Sequence, residues 1–379
     1  MIDKVGKSCT GCGTCEARCP FGAISFEKDT IGFAYPHINA EKCTKCNLCE
    51  SACPALADLN CIKHSAGTCY AAFASDKPKS SSSGGSFYAI AKKIIADGGV
   101  AYGAAMTDGV SIRHERIDDP SSIDRLCGSK YIQSFISPDI FKSVETDLKK
   151  GLPVIFSGTP CQVAGLRLYL RKDFDNLYTI DLVCHGVPSP GVFSDYIRYC
   201  EKLRHQSIAG FLCRDNRAGW NNIFKSTIKY TCGKEEYNTG LANLWNRIFF
   251  SELITRMSCH ECRFTQMHRV GDLTLGDFWG IKTVRDYAVS RGVSLLMCNT
   301  PKGKRLLSEA NINIEPATTN IKEHPNLFHP TKANTQREEF QQYYLTHGFA
   351  ETVKRYFGFS PWLDFKLRVH SRLHKFLGR

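Results

Sequence analysis

Apolar residues recur along residues 87–310 in two rhythms, a helical period and short unbroken runs, and the two alternate. Phe87–Ala96, Pro138–Lys150, Pro160–Leu170 and Gly191–Leu203 space their apolar side chains three and four apart, which predicts helices. Val100–Ala105, Pro153–Ser157 and Leu177–Cys184 are short apolar runs, which predict buried strands. Lys225–Tyr230, Asp272–Leu275 and Val293–Cys298 extend the strand series, and a helix is expected after Pro301. Such alternation predicts an α/β layer architecture. Residues 1–60 break the rhythm because they hold too few apolar positions for a core of their own. The polar stretch 75–85, rich in Ser, Lys and Gly, reads as the loop leading out of that region.

What replaces the missing core is written in cysteine. Eight of the nineteen cysteines form one motif twice: Cys9, Cys12, Cys15 and Cys19 before Pro20, then Cys43, Cys46, Cys49 and Cys53 before Pro54, each recurring 34 residues on. This C-x2-C-x2-C-x3-C-P run is the bacterial ferredoxin signature, in which three close thiolates serve one cubane and the fourth crosses to the other. Cys9, Cys12, Cys15 and Cys53 are therefore assigned to one [4Fe-4S] centre, and Cys43, Cys46, Cys49 and Cys19 to a second. Zinc takes four ligands, usually as two separated pairs, and fits these runs poorly. Metal binding and folding should coincide here.

Lys and Arg exceed Asp and Glu by 49 to 37, a formal charge of +12. Residues 1–75 carry seven basic and seven acidic side chains, so the excess lies later and is spread, not gathered in a block. Each [4Fe-4S]2+ centre on four thiolates adds about −2, and three would bring the total to about +6. Nucleic-acid binding is not expected. No apolar stretch approaches the roughly 18 residues of a membrane span, and residues 1–7 carry no secretory pattern. With many unpaired thiols, a reducing, cytoplasmic setting is expected. The last thirty residues interleave Phe357, Phe359, Trp362, Leu363, Phe365, Leu367, Leu373, Phe376 and Leu377 with lysines and arginines. Such a basic amphipathic segment can contact an anionic membrane surface or fold back on its own domain, and the second is favoured.

Four further cysteines are candidates for a third centre. Thr159 is suited to cap a helix and Pro160 to its first position, which would put Cys161 at the helix's positive end, where a thiol pKa falls. Cys184 closes the next predicted strand, and Cys259 with Cys262 forms a C-x2-C pair. In open α/β sheets ligands gather beyond the carboxyl ends of strands, where Cys161 and Cys184 would meet. Scattered cysteines are usually small buried hydrophobes. Ser83-Gly84-Gly85-Ser86 precedes a helix and can form an anion nest, although a plain turn reads the same way. Arg214-Asp215-Asn216-Arg217 with Trp220 could line a substrate pocket or be a solvated loop.

Taken together, Ser83-Gly84-Gly85, Gly128-Ser129-Lys130-Tyr131, Gly158-Thr159-Pro160-Cys161-Gln162, Cys184-His185-Gly186, and Cys259-x2-Cys262 followed by Gly271-Asp272-Leu-Thr-Leu-Gly276-Asp277 resemble the coenzyme F420 hydrogenase/dehydrogenase beta-subunit family over roughly residues 60–320. The added ferredoxin repeat matches its longer bacterial members, and its relatives include 7-hydroxymethyl chlorophyll a reductase. The resemblance implies an α+β/α/β chain: a dicluster ferredoxin module at 1–60, an FAD-binding part at 61–150, a cluster-binding part at 151–320 and a basic tail at 321–379. It implies FAD held by Ser83, Gly84, Gly85, Ser86, Gly128, Ser129, Lys130 and Tyr131, and a [4Fe-4S] centre on Cys161, Cys184, Cys259 and Cys262. Lys130 could neutralise a pyrophosphate or the flavin, or simply lie on the surface. His185 is a candidate proton donor, or a hydrogen-bond partner of sulfur. The function implied is a flavin-dependent iron–sulfur reductase fed by a low-potential donor such as ferredoxin and acting on a small molecule or glycan precursor, with polysaccharide or cell-envelope metabolism as its setting. The alternative is an electron-transfer subunit with no substrate of its own. Hydrogenase beta subunits act on a deazaflavin, and no hydrogenase metal motif is present. Removal of residues 1–60 is expected to leave the later domain intact.

Overall fold

The computed structural model describes residues 2–221, 225–285, 287–317 and 321–366. Its N-terminal region holds α1 (Thr14–Arg18), β1 (Ile24–Lys28), β2 (Ala34–Ile38) and α2 (Leu48–Ser51), with β1 and β2 paired antiparallel. The cysteines are part of its small interior, where Cys9, Cys15 and Cys53 pack with Ile2, Val5 and Ile24.

The rest is built on one mixed sheet. Its strands are β3 (Thr68–Phe73), β4 (Val100–Thr107), β5 (Ser111–Ile117), β6 (Val154–Gly158), β7 (Leu177–Leu182), β11 (Leu273–Asp277), β12 (Ser294–Cys298) and β13 (Asn313–Pro316), in the spatial order β13-β3-β12-β11-β7-β6-β4-β5. β4, β6, β7 and β11 are parallel and central; the outer strands run antiparallel. β8 (Ile208–Leu212), β9 (Thr227–Tyr230) and β10 (Glu235–Tyr237) form a separate antiparallel sheet. The helices are α3 (Ser86–Ala96), α4 (Pro138–Lys149), α5 (Pro160–Leu170), α6 (Pro190–Arg204), α7 (Gly240–Phe249), α8 (Met257–His260), α9 (Pro301–Glu309) and α10 (Arg337–Phe357). Every helix and strand expected between Phe87 and the helix after Pro301 is present within a few residues of its expected bounds.

Four helices start with the same device, a Ser or Thr followed by Pro at the first helical position: Ser137-Pro138, Thr159-Pro160, Ser189-Pro190 and Thr300-Pro301. The Ser189 hydroxyl accepts from Val192 N at 3.0 Å and the Thr300 hydroxyl from Gly303 N at 3.0 Å. Such caps contribute about 1 kcal/mol each and fix where each helix leaves its strand.

Residues 321–366 contribute to the core. Phe340, Tyr344, Phe349, Val353 and Phe359 are buried against α6, α7 and the small sheet. Trp362 and Phe365 are exposed, while Asp364 is buried and pairs with Arg204 at 2.8 Å. The basic apolar residues from Leu367 onward lie outside the described residues. Among the described residues no helix is long and apolar enough to cross a membrane.

The ferredoxin region does not sit apart from the sheet, which corrects the expectation of clean separation. Leu59 and Ile62 are buried in the core formed by β4, β6, α4 and α5. Ser189 Oγ bonds Ile31 O, Arg263 Nη1 donates to Ala55 O at 3.0 Å, and Gln133 donates to Thr10 O at 3.0 Å. Gly165 shows how close the two parts lie: a Cβ on this α5 residue would fall 2.2 Å from Thr14 Oγ1 and 3.4 Å from Cys12 Sγ. Removing residues 1–60 would strip this packing and expose apolar surface.

Candidate functional site

The carboxyl ends of β4, β6, β7 and β11 open on a cavity of about 550 Å3. That volume lies within the roughly 300–1,000 Å3 of cofactor and ligand sites. One wall is the Ser81–Ser83 stretch with Gly85 and Ser86; a second is Gly128–Ile132; a third carries Thr159, Cys184 and His185. The separate sequence motifs therefore meet in one place, as the topology of open α/β sheets leads one to expect.

The first wall is the amino end of α3. Gly85, at φ 84°, is its N-cap and offers no side chain to the free amide groups of the first turn. The buried Ser86 hydroxyl beside them has no hydrogen-bond partner. Free amides at a helix amino end and an unpaired hydroxyl suit an anion such as a pyrophosphate. Two members of the expected nest are already engaged, since Gly84 N donates to Ser294 Oγ at 3.1 Å and Ser83 Oγ to Val293 O at 2.9 Å.

Lys130 lines the cavity and is half-buried, not a surface lysine. Its ammonium donates to the carbonyls of Cys127 at 2.7 Å and of Leu126 and Gly128 at 3.2 Å. Burial pushes its pKa down to about 8. Tyr131 stacks on Phe249 at 5.0 Å, and burial raises its phenol to about 12. The mixed wall of Phe249, Phe250 and Trp279 gives an apolar bed opposite the anion end. The donor set and the volume together fit a dinucleotide flavin.

His185 edges onto Phe249 and Phe250 at 5.4 and 5.5 Å, and its Nε2 bonds the Glu252 carboxylate. Glu252 also accepts from Thr255 Oγ1 at 2.9 Å. The result is a histidine–carboxylate pair next to Cys184. No motif points to Glu252, which stands 67 residues away. Arg214, Asn216 and Trp220 do not line the cavity. They brace it from behind: Arg214 pairs with Asp277, Asn216 donates to Ser82 O at 2.7 Å, and Trp220 stacks on Trp279 at 5.1 Å.

Cys161, Cys184, Cys259 and Cys262 converge beside this cavity. Thr159 closes a capping box with Gln162, so Cys161 enters α5 directly from the end of β6. Cys184 follows β7, and the C-x2-C loop is drawn to it by a buried clamp in which Arg269 bonds Asp181 at 2.9 Å, Leu182 O at 2.8 Å and Phe264 O at 2.8 Å. Cys184 and Cys262 act electrostatically on Cys161, and Cys184 and Cys262 on Cys259. Cys12 of the ferredoxin region is also within reach of Cys161.

The pKa expected for Cys161 needs correction. Burial is the dominant effect and, helped by neighbouring thiols, holds it well above the ordinary value in spite of the helix end and the bond from Thr159 at 3.2 Å. Cys184 and Cys259 are likewise pushed up, to about 11 and about 12, by burial. Such thiols stay protonated until a metal displaces the proton.

In the repeat, Cys12, Cys9 and Cys53 all act electrostatically on Cys15, which gathers one mixed set from both runs. Cys19, Cys43, Cys46 and Cys49 border a common surface depression. Among the described residues no three His, Cys, Asp or Glu side chains close to the spacing of a single metal ion.

Residues 8–57 match the family described as a 4Fe-4S dicluster domain. Fold and motif thus define an iron–sulfur electron-transfer protein of the oxidoreductase class. Residues 152–324 match the family described as the C terminus of the coenzyme F420 hydrogenase/dehydrogenase beta subunit. Residues 152–324 thus carry the C-terminal domain of that beta-subunit family, with the dicluster domain in front. Among solved structures it is similar to a chain of the F420-reducing [NiFe] hydrogenase complex from Methanosarcina barkeri, at 18% identity and a TM-score of 0.46, covering 70% of this chain and 87% of that one. No curated protein matches it in sequence.

Proposed function

We propose that this chain is a flavin-dependent iron–sulfur reductase. The observation that carries the reading is that one cavity joins the free amino end of α3 to Cys184 and His185. Ser86 and Ser129 would bind the FAD pyrophosphate, Lys130, with its N–H groups on backbone carbonyls, would add its positive charge beside it, and Tyr131, Phe249 and Phe250 would flank the rest of the cofactor. Bound there, FAD supplies the exchange between one-electron and two-electron chemistry. Cys161, Cys184, Cys259 and Cys262 would hold a third [4Fe-4S] centre beside it. Cys9, Cys12, Cys15 and Cys53 would hold the next one outward, and Cys43, Cys46, Cys49 and Cys19 the outermost.

We read the flow as inward from the outermost set, whose partly exposed cysteines a low-potential donor such as ferredoxin can approach. His185, oriented by Glu252, is placed to deliver a proton to a reduced substrate. The substrate class we favour is a small molecule or glycan precursor.

The test is anaerobic reconstitution of the full chain with iron, sulfide and FAD, followed by addition of chemically reduced ferredoxin. About twelve irons and one FAD per chain, with the flavin bleaching on ferredoxin addition, are expected. Failure to retain FAD would reject the flavin site. The family description as a beta subunit favours a second reading, an electron-transfer subunit without its own substrate. Under that reading the reduced flavin would be reoxidised only by a partner protein and by no small molecule.

A further inference from the structure

Arg256 is completely buried. Its backbone belongs to the third cysteine set: its N–H donates to Val187 O at 2.9 Å, and its carbonyl accepts from Cys259 N at 2.9 Å. Its side chain crosses into the ferredoxin region, where Nε donates to Cys9 O at 2.7 Å and Nη2 to Ala34 O at 2.8 Å. Nη1 donates to Gln133 Oε1 at 3.2 Å. The guanidinium lies over Tyr35 at 4.4 Å and Phe33 at 5.1 Å. Gly11 leaves room for it, since a Cβ there would fall 3.0 Å from Nη1.

Every one of these partners is neutral. Two other buried arginines hold carboxylates, Arg269 bonding Asp181 and Arg214 bonding Asp277, while Arg337 bonds the Leu253 carbonyl. Among the described residues no carboxylate bonds Arg256. A buried cation needs a counter-charge, and here the groups able to supply it are thiolates on two sides. The charge of Arg256 lowers the pKa of both Cys9 and Cys259 against the larger effect of burial.

We propose that Arg256 is a positioning residue for electron transfer between the inner ferredoxin centre and the third centre, and that the two thiolate-held clusters together are its counter-ion. Its charge stabilises the more negative, reduced form of each and raises both potentials. One electron leaves the inner ferredoxin centre and one arrives at the third centre; no bond forms or breaks and no proton moves. The proposal rests on the reading that both sets hold cubanes.

The experiment is an electron-paramagnetic-resonance redox titration of the reconstituted full chain, with iron counted on the same samples. Arg256→Gln removes the charge. Gln133→Glu keeps Arg256 and sets a carboxylate beside Nη1. Each should lower the midpoint potential of the inner ferredoxin centre by about 59 mV or more, a tenfold shift in its one-electron equilibrium, with iron retained. Arg256→Lys should stay near wild type. Gln133→Leu, which loses the bond to Thr10 O as Gln133→Glu does and the bond from Arg256 besides, adds no charge and should also stay there.

If Arg256→Gln fails to fold, Gln133→Glu decides alone. Wild-type potentials in Gln133→Glu, or an equal shift in Gln133→Leu, would overturn the proposal. A wild-type iron count of about eight would instead reject the third centre, and with it the reading on which the proposal stands.

Discussion

The two halves of the cysteine repeat are nearly the same in sequence and live in different surroundings. In the first, Cys9, Cys12 and Cys15 are buried, joined by Cys53, and pressed against α5 and Arg256. In the second, Cys46 is exposed, and Cys19, Cys43 and Cys49 are only partly covered. Burial raises the Cys15 and Cys53 thiols, the latter to about 12, whereas a backbone N–H from Leu48 holds exposed Cys46 below its usual value. A repeated motif thus offers the same ligands twice, while the packing around each copy differs: one set is covered by the sheet domain and the other is open to solvent.

The strongest way to break this comparison is to remove one ligand from each set. Cys12→Ala should cost the inner centre and the packing of α1 on α5, giving a chain that loses iron from more than one set and precipitates. Cys46→Ala should lose only about four irons and leave the rest in place. Iron counts and solubility of the two variants check this, and equal damage would erase the distinction. The double change Cys259→Ala with Cys262→Ala should also remove about four irons while preserving both ferredoxin centres; an unchanged count would show that these cysteines hold no cluster.

Gly165→Val tests the contact itself. Its side chain would collide with Thr14 and reach toward Cys12, so overpacking should destabilise the fold by about 1–3 kcal/mol. Flavin reduction by reduced ferredoxin should slow, with direct photochemical reduction unaffected. A denaturation midpoint together with stopped-flow traces reads both.

The smallest effect expected is in the cavity. Lys130, with its pKa depressed to about 8, carries its full charge well below that value and loses it as pH rises through it. FAD retention should therefore weaken several-fold between about pH 7 and pH 9 in the wild type, although a bound pyrophosphate will move the midpoint upward. Lys130→Met should bind weakly and show no such slope. A matching slope in both would place the titration elsewhere.

What can be read from the chain follows how local each feature is. The cysteine repeat, the Ser/Thr-Pro helix starts and the alternation of helices with strands lie within windows of a dozen residues. β5 is hard to see because Ser111–Ile117 is mostly polar on its exposed face, and β3 because its short apolar run follows directly on the ferredoxin region. α10 passes for part of a tail because its basic residues hide the buried positions Phe340, Tyr344 and Phe349. Glu252 and Arg256 acquire meaning only through contacts across 67 and 247 residues of chain. Arg256 does carry one local signal, since it lies three residues before a cluster candidate. The pKa of Cys161 runs against expectation because a helix end is visible in sequence and the desolvating neighbours that the fold packs around the thiol are not.

The seam at Gly165 bears on how the protein is made. Once α1 rests on α5, the inner cysteines are covered on one side by the main sheet domain and on the other by Ile2, Val5 and Ile24. Any scaffold or carrier that hands over an assembled cluster must reach those thiols directly, so delivery has to come before this closure. On the proposed cluster assignment, maturation would then have an order: load the inner set, dock the module, and fill the outer set from solvent. A chain that docks empty would have to reopen at this seam before its inner set could fill, whereas the outer set could be filled or repaired in place.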